Sequence, residues 1–223
     1  MDRHRVAIIV PALNEAATVG RVAASASSFG AVIVVDDGSA DATPSIAEAA
    51  GATVVRHLRT RGYDDALNSG FSLASKMGAM YAVTLDADGQ HDPHLIPAFL
   101  GQLDAGSTVV MGVRPRPGRV AERVFGWYTT RRYGIHDPLC GLKAYDMRAY
   151  EERGYFDTTG SMGTELAIYC ASKGYGISEV PIPIERRLDR PRIGSMLRAN
   201  SAVLRALVRT VVAGLPMARS ARR

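Results

Sequence analysis

Residues 81–93 read YAVTLDADGQHDP, an apolar run that leads directly into two aspartates and then into a helix start. The uncharged, β-branched run Ala82–Leu85 is typical of a strand buried in a parallel sheet. Asp92 and Pro93 predict the start of a helix, because an aspartate can cap a first turn and proline is tolerated there. The stretch therefore predicts a strand, an acidic loop and a helix.

The same alternation of strands and helices continues on both sides of this stretch. Strand followed by helix, with short links, predicts an α/β domain with right-handed crossovers. The predicted strands are Val6–Val10, Ala31–Val35, Thr53–Val55, Thr108–Val113, Cys140–Tyr145 and Ile177–Ile184, and the predicted helices are Asn14–Ser28 with Asn14 as its N-cap, one opening at Thr43 and Pro44, Asp65–Met77, Pro93–Leu103 and Thr164–Ser172.

Composition limits the class of protein without choosing a function. A chain of 223 residues can build one domain with a sizeable core. The net charge of +5 and the pI of about 9.4 suit an anionic ligand, a membrane surface or a nucleic acid. Two cysteines without a CxxC pair argue against a structural zinc site or a disulfide framework. No apolar run is long enough to predict a membrane-spanning helix or a signal peptide.

Two acidic clusters follow predicted strands, residues 36–39 (DDGS) and residues 86–90 (DADGQ). In an open parallel sheet, ligands bind at the carboxyl ends of the strands. Asp86 and Asp88 are two residues apart, so both side chains can point the same way and offer the oxygen ligands that Mg²⁺ and Mn²⁺ prefer. A solvated turn before Pro93 remains the alternative. Asp37 can accept a hydrogen bond from a nucleotide base or form an Asx turn before Gly38.

Six stretches in order along the chain together resemble the family-2 glycosyltransferases, and in particular their branch of dolichyl-phosphate mannose synthases and polyprenyl-phosphate sugar synthases. They span roughly residues 5 to 200. The stretches are VPALNE (10–15), VVDDGSADAT (34–43), RGYDDALNSGF (61–71), DADGQHDP (86–93), DPLCGLKAYD (137–146) and GTELAIYCASKGYGISEVPI (163–182).

The resemblance implies a GT-A fold, which is a single Rossmann-like α/β domain with a mixed, mainly parallel sheet flanked by helices. It implies inverting transfer of a hexose from a GDP- or UDP-sugar, with Mg²⁺ or Mn²⁺, to polyprenyl phosphate. A hydroxyl acceptor and a non-catalytic nucleotide-sugar-binding subunit are the alternatives. The sequence contains no recognised nucleic-acid-binding motif, so nucleic-acid binding is the least favoured explanation of the basic charge.

The resemblance also implies roles for individual residues. For a hydroxyl acceptor, Asp137 and Glu165 are the candidate general bases. Asp64 and Asp65 stand where many relatives carry small residues, Cys140 where a serine or threonine is common, and Lys143 where an arginine is common. The donor site comprises Pro11, Ala12, Leu13, Glu15, Asp37, Gly62, Asp86, Arg192 and Ser195; the metal site Asp86, Asp88 and Gln90; the catalytic group Asp88, Asp137, Lys143 and Glu165; and the acceptor-phosphate group Arg114, Arg131 and Lys143, with Arg116, Arg119 and Arg132 as further cations.

The segment 195–223 is predicted to be a basic amphipathic helix and tail, separate from a glycosyltransferase domain of residues 1–194. Arg198, Arg205 and Arg209 share one helical face, and valines and leucines occupy much of the rest. This pattern fits a helix lying in an anionic membrane interface, or one packed on the domain core or a partner subunit. We therefore expect a cytoplasmic protein, peripheral on the inner membrane face, with a membrane partner or a second copy as further possibilities.

Overall fold

The computed structural model describes residues 5–115, 120–183 and 196–212. Within these ranges the chain alternates strands and helices up to β5 and becomes less regular afterwards. The elements are β1 (Val6–Ala12), α1 (Val19–Ala26), β2 (Ala31–Asp36), α2 (Thr43–Ala49), β3 (Thr53–Arg56), α3 (Tyr63–Lys76), β4 (Tyr81–Thr84), a 3-10 turn (Pro93–Leu95), α4 (Ile96–Asp104), β5 (Val109–Val113), α5 (Val120–Tyr133), β6 (Lys143–Asp146), α6 (Met147–Arg153), α7 (Glu165–Ser172), β7 (Ile177–Pro181) and α8 (Met196–Val212).

The described strands form one mixed sheet in the order β3-β2-β1-β4-β6-β5-β7. All pairings are parallel except those of β6, which runs antiparallel to both β4 and β5. The predicted mixed, mainly parallel α/β architecture is therefore confirmed. Because β6 is reversed, its first residues lie at the edge of the sheet where the parallel strands end.

Two apolar cores lie on opposite faces of the sheet, and the alternation of side chains along β1 separates them. Val6, Ile8 and Val10 point into the core shared with α1 and α4. Ala7 and Ile9 point into the core shared with α3 and α7. A strand buried on both faces needs a continuous apolar run, which explains the sequence VAIIV at residues 6–10.

The largest boundary error concerns the first helix, which begins at Val19 and not directly after Asn14. Asn14 has a positive φ of 52° and its side-chain oxygen accepts a hydrogen bond from the Ala40 N–H across the neighbouring loop. The prediction of Asn14 as an N-cap was wrong because this side chain joins two loops. By contrast, Asp92 caps the turn at Pro93 as expected, accepting from the His94 N–H at 2.9 Å.

The C-terminal helix α8 packs against α5. Ala121 and Phe125 of α5 form a small apolar cluster with Val203 and Ala206 of α8. The predicted boundary between residues 194 and 195 lies outside the described residues. No helix in the described part of the chain is long and apolar enough to cross a bilayer.

Candidate active site

The carboxyl ends of β1, β2 and β4 and the start of β6 meet at one edge of the sheet. Ala12 pairs with Asp36 at the ends of β1 and β2, and Thr84 at the end of β4 pairs with Lys143 of β6. The antiparallel strand therefore brings Lys143 to the edge that carries both acidic clusters. Parallel pairing could not have placed the beginning of a strand there.

The loops after β1 and β2 are fastened to each other by hydrogen bonds. The Asn14 N–H donates to the Ser39 hydroxyl at 2.8 Å, and the Glu15 N–H donates to the Thr43 hydroxyl at 2.7 Å. These bonds hold the first predicted donor-binding loop in a fixed shape. Of its predicted residues, Pro11, Ala12 and Glu15 are buried, and Leu13 is partly exposed.

Asp37, the predicted base-recognising acid, holds the loop that precedes α3. One carboxylate oxygen accepts from the Arg61 N–H at 2.9 Å and lies 2.7 Å from His57 Nδ1. The other accepts from the Gly62 N–H at 2.8 Å. The side chain is only 6% exposed. A carboxylate has about four acceptor positions, so the oxygen bound to Gly62 retains capacity for one further donor.

Asp86, in contrast, leaves its carboxylate open at the tip of β4. Its side chain is 32% exposed. The Tyr63 hydroxyl donates to Oδ1 at 3.2 Å, and His91 Nε2 lies 3.8 Å from Oδ2. The carboxylate lies against Gly141, where a Cβ atom would sit 1.9 Å from Oδ2. A side chain at position 141 would therefore displace the Asp86 carboxylate.

The predicted metal ligands fit a hard cation that shares its coordination with a substrate. Asp88 is buried and its Oδ1 accepts from the Gln90 N–H at 3.0 Å, across a turn in which Gly89 has a φ of 73°. Among the described residues, no three His, Cys, Asp or Glu side chains form a cluster that could hold a metal. Two carboxylates and an amide oxygen suit Mg²⁺ or Mn²⁺, which commonly takes one or two carboxylates together with phosphate oxygens.

Lys143 lies buried beneath the carboxylates. Its ammonium donates to the Gly163 carbonyl at 2.6 Å, and the residue is 3% exposed. Burial lowers the pKa of Lys143, although the negative charges of Asp137 and Asp86 partly oppose this effect. The amine thus links β6 to the turn at Gly163. Because the ammonium group is buried, it is not exposed to an acceptor phosphate in this structure.

Both predicted general bases are held by arginines. Asp137 is buried and accepts two hydrogen bonds from the Arg114 guanidinium, at 2.6 and 2.7 Å, and a third from the Arg114 N–H. Glu165 is buried in an ion pair with Arg153. Burial alone would raise the pKa of Glu165, but the Thr158 N–H and the Arg153 guanidinium outweigh it and the pKa falls. Glu165 is therefore a weaker proton acceptor than a free glutamate.

Comparison with known proteins identifies the family. Residues 7–163 match the family model described as Glycosyl transferase family 2. The chain belongs to this family. It is 29% identical over 201 residues to the dolichyl-phosphate hexose transferase of Haloferax volcanii, covering 84% of this chain and 86% of that protein. It is 28% identical to the polyprenol monophosphomannose synthase of Mycolicibacterium smegmatis, covering 82% of this chain and 78% of that protein.

A solved glycosyltransferase structure has a similar fold. The glucosyl-3-phosphoglycerate synthase of Mycobacterium tuberculosis, in complex with Mn²⁺, UDP and glucosyl-3-phosphoglycerate, aligns with a TM-score of 0.68 at 27% identity. The alignment covers 92% of this chain and 79% of that one. The fold and the family expected from the sequence are thus confirmed.

The remaining predicted site residues of this family-2 glycosyltransferase fall into two groups. Arg131 is exposed in the last turn of α5, and the Arg114 guanidinium is engaged by Asp137 and, at 3.4 Å, by Glu122. Arg192 and Ser195, together with Arg116 and Arg119, lie outside the described residues.

Sequence reasoning missed three residues that shape the site: Tyr63, Gly141 and Arg153. Tyr63 and Gly141 stand inside stretches that carry the family resemblance, but neither residue type signals a contact with Asp86. Arg153 pairs with a residue 12 positions later in the chain, so only the packing of α6 against α7 identifies its partner. The position of Tyr63 and Gly141 inside these stretches is the one sequence signal that could have pointed to them.

Beside the strand tips lies a polar cavity of about 480 Å³. It opens between the start of α3, the loop after α6 and the helix α8. Its lining comprises Arg61, Gly62, Asp64, Asp65, Asp157, Thr158, Thr159, Gly160 and Arg209.

Proposed function

We propose that this protein is an inverting glycosyltransferase that moves a hexose from a GDP- or UDP-sugar to a polyprenyl phosphate at the cytoplasmic membrane face. The observation that carries the proposal is the open Asp86 carboxylate at the tip of β4, with Asp88 and Gln90 two and four residues further on. The relatives named for dolichyl-phosphate and polyprenol substrates support this class of acceptor.

The state of the two candidate bases favours a phosphate acceptor over a hydroxyl acceptor. A hydroxyl must lose a proton as it attacks, and this requires a general base. The Glu165 carboxylate accepts from the N–H groups of Thr158 and Thr159 and from the Arg153 guanidinium, and its lowered pKa makes it a weaker base. The Asp137 oxygens are occupied by three hydrogen bonds from Arg114. A phosphate is already an anion, so it can attack without such a base.

In the proposed reaction, an acceptor phosphate oxygen attacks the anomeric carbon while the bond to the nucleoside diphosphate breaks on the opposite face. The cation that Asp86, Asp88 and Gln90 would hold neutralises charge on the departing diphosphate. The Tyr63 hydroxyl positions the Asp86 carboxylate, and Gly141 leaves space for it because a glycine has no side chain. The loops after β1 and β2 bind the nucleotide, with Asp37 offering its remaining acceptor position to the base.

The hydroxyl-acceptor alternative is supported by the structural neighbour named for glucosyl-3-phosphoglycerate. The deciding experiment incubates purified protein with radiolabelled GDP- and UDP-hexoses, Mn²⁺ or Mg²⁺, and either polyprenyl phosphate in detergent or 3-phosphoglycerate. Metal-dependent movement of label into the organic phase is the expected result, and it also names the donor. Label transferred only to 3-phosphoglycerate, or to neither acceptor, contradicts the proposed acceptor.

The paired helices α5 and α8 supply a surface that suits peripheral membrane binding. Most of the large apolar side chains that the described structure leaves exposed lie on these two helices. Arg205 and Arg209 are exposed on α8, which fits attraction to anionic headgroups. An exposed apolar patch beside basic residues is the pattern of a helix that lies in the membrane interface. The exposed apolar residues are Val120, Val124 and Trp127 on α5 and Leu204, Val208, Val211 and Val212 on α8.

Trp127 makes this surface measurable, because it is the single tryptophan of the chain and is 66% exposed. Adding anionic phospholipid vesicles should shift its fluorescence to shorter wavelengths and carry the protein into the vesicle pellet. The double change Val208→Glu and Val212→Glu should abolish both effects, whereas Met77→Glu, an exposed position on another surface, should not. An unchanged spectrum with the unaltered protein would contradict membrane docking through α5 and α8.

A further inference from the structure

The polar cavity beside the strand tips begins one residue along α3 from the tyrosine that contacts the carboxylate of the proposed cation site. Tyr63, whose hydroxyl donates to Asp86, precedes Asp64 in the chain, and Asp64 lines the cavity. The cavity volume of about 480 Å³ lies within the usual range of small-ligand clefts, roughly 300–1,000 Å³. In a donor bound through its diphosphate to a cation at Asp86, the hexose is the part attached next to the metal-bound phosphate.

The charges of the lining suit hydroxyl groups better than a second phosphate. Three carboxylates, Asp64, Asp65 and Asp157, face two guanidiniums, Arg61 and Arg209. A dianion would therefore meet a lining with a net negative charge, which opposes its binding. Sugar hydroxyls are neutral donors, and a carboxylate is a strong acceptor for them because its charge strengthens each hydrogen bond.

Among the three carboxylates, two are engaged elsewhere. Asp157 accepts from the N–H groups of residues 159–161 through one oxygen and from the Ser161 hydroxyl through the other. Asp65, in the first turn of α3, pairs with Arg61 at 3.3 Å, and both side chains are about half exposed. Arg209 is also used, since its guanidinium lies 3.5 Å from the Gly160 carbonyl.

Asp64 combines a fixed position with a place in the cavity lining. Its Oδ1 accepts from the Gly163 N–H at 2.6 Å, which ties the start of α3 to the turn that also holds Lys143. The backbone N–H groups of Gly163 and Met162 both bind this carboxylate, which has about four acceptor positions and so keeps acceptor capacity in the cavity that it lines.

We propose that Asp64 accepts hydrogen bonds from hydroxyl groups of the donor hexose, and that it thereby selects which hexose the enzyme transfers. This role rests on the proposed function, since it presupposes a nucleotide-sugar donor. It makes Asp64 a specificity-determining residue of the donor site. The nucleotide part of the donor does not depend on it.

Titration calorimetry in the presence of Mn²⁺ separates the two parts of the donor, using GDP- and UDP-hexoses alongside GDP and UDP. Asp64→Asn is a suitable variant because the amide oxygen can still accept from the Gly163 N–H, while the other position becomes a donor. Its affinity for the best nucleotide hexose should fall about tenfold, as for loss of a hydrogen bond to a charged group, and its affinity for the free nucleotide should change less than twofold. Glu48→Gln, an exposed carboxylate on α2 away from the cavity, should leave both affinities within twofold.

Equal loss of affinity for nucleotide hexose and free nucleotide, or loss of neither, would overturn the role of Asp64 in hexose binding. A fall in kcat on a hydroxyl acceptor with unchanged donor affinity would also overturn it, because it would identify Asp64 as a general base. Failure of the proposed function has a different signature, in which the unaltered protein itself binds no GDP- or UDP-hexose. Among the epimers tested, Asp64→Asn should also change the order of preference.

Discussion

Asp37 and Asp86 look alike in the sequence, since each follows a buried apolar strand and precedes a glycine-containing turn, yet the structure treats them differently. The Asp37 side chain is 6% exposed and is surrounded by two backbone N–H groups and His57. The Asp86 side chain is 32% exposed and, among the residues that the structure describes, a tyrosine hydroxyl is its one hydrogen-bond partner. The comparison separates an acid that organises a loop from an acid that remains available to a ligand.

This difference shows what distinguishes a structural carboxylate from a binding one at the same edge of a sheet. Backbone N–H groups that cannot reach a helical partner need an acceptor, and the loop of residues 57–62 finds one in Asp37. The loop after β4 satisfies its own donors through Asp88, which accepts from the Gln90 N–H. The Asp86 carboxylate is therefore not needed as an acceptor within this loop. Substitutions at the two aspartates and their neighbours test this difference.

The largest expected effect is on activity at Asp86. Asp86→Asn should lower kcat by about 10²–10³-fold, because it removes charge that would hold the cation near the departing diphosphate, and should weaken Mn²⁺ binding in calorimetry. The melting temperature should change little, since few protein groups depend on this carboxylate. Asp92→Asn, an exposed aspartate of the same loop, should keep full activity. Normal Mn²⁺ affinity in Asp86→Asn would contradict the assignment of this carboxylate to the cation.

The next effect is on stability at Asp37. Asp37→Ala leaves the Arg61 and Gly62 N–H groups and His57 without their acceptor, so the free energy of unfolding should fall by about 3 kcal/mol. Urea denaturation followed by circular dichroism measures this change. The matched control is Glu48→Ala, an exposed position on α2, which should stay within about 0.5 kcal/mol. A stable Asp37→Ala protein would show that the contrast with Asp86 is smaller than the geometry indicates.

A third test concerns Gly141, which packs against the Asp86 carboxylate. Gly141→Ala places a Cβ 1.9 Å from Asp86 Oδ2, so the carboxylate must move; we expect a loss of about 1–3 kcal/mol in stability together with reduced Mn²⁺ affinity. Gly101→Ala in α4 meets no atom within 4 Å and should be neutral or slightly stabilising. Wild-type behaviour of Gly141→Ala would mean that Asp86 can take another position without loss.

The smallest effect is the pH dependence of stability that comes from Asp64. Burial and the nearby Asp157 carboxylate raise the pKa of Asp64 to about 6 from an ordinary value of 3.8, although the Gly163 N–H and Lys143 oppose them. The folded state therefore binds this proton more tightly than the unfolded state, and the stability it contributes is present below about pH 4 and lost as the pH rises through about 6. Asp64→Asn carries no such titration.

Thermal unfolding between pH 4 and 7.5 checks this sign. The stability of Asp64→Asn relative to the unaltered protein should increase as the pH rises from 4 to 7. A difference between the two proteins that stays constant over this range would contradict a raised pKa at Asp64.

Local sequence patterns were enough to predict the alternating α/β plan and the acidic strand ends. A continuous apolar run such as residues 6–10 predicts a strand buried on both faces, and an Asp-Pro pair predicts the turn at residues 92–93. The six family stretches also predicted the GT-A fold, which the structure and the family match bear out.

The partner of each charged side chain could not be predicted in the same way, because it depends on packing. Hydrogen bonds and ion pairs form between residues that are far apart in the chain, such as Arg114 with Asp137 or Asp64 with the residue-163 turn, and no local pattern encodes those pairings. The same physical reason explains the error at Asn14, whose acceptor oxygen meets Ala40 across a loop. Residue type fixed which groups could bind a ligand, and packing fixed which of them were left free to do so.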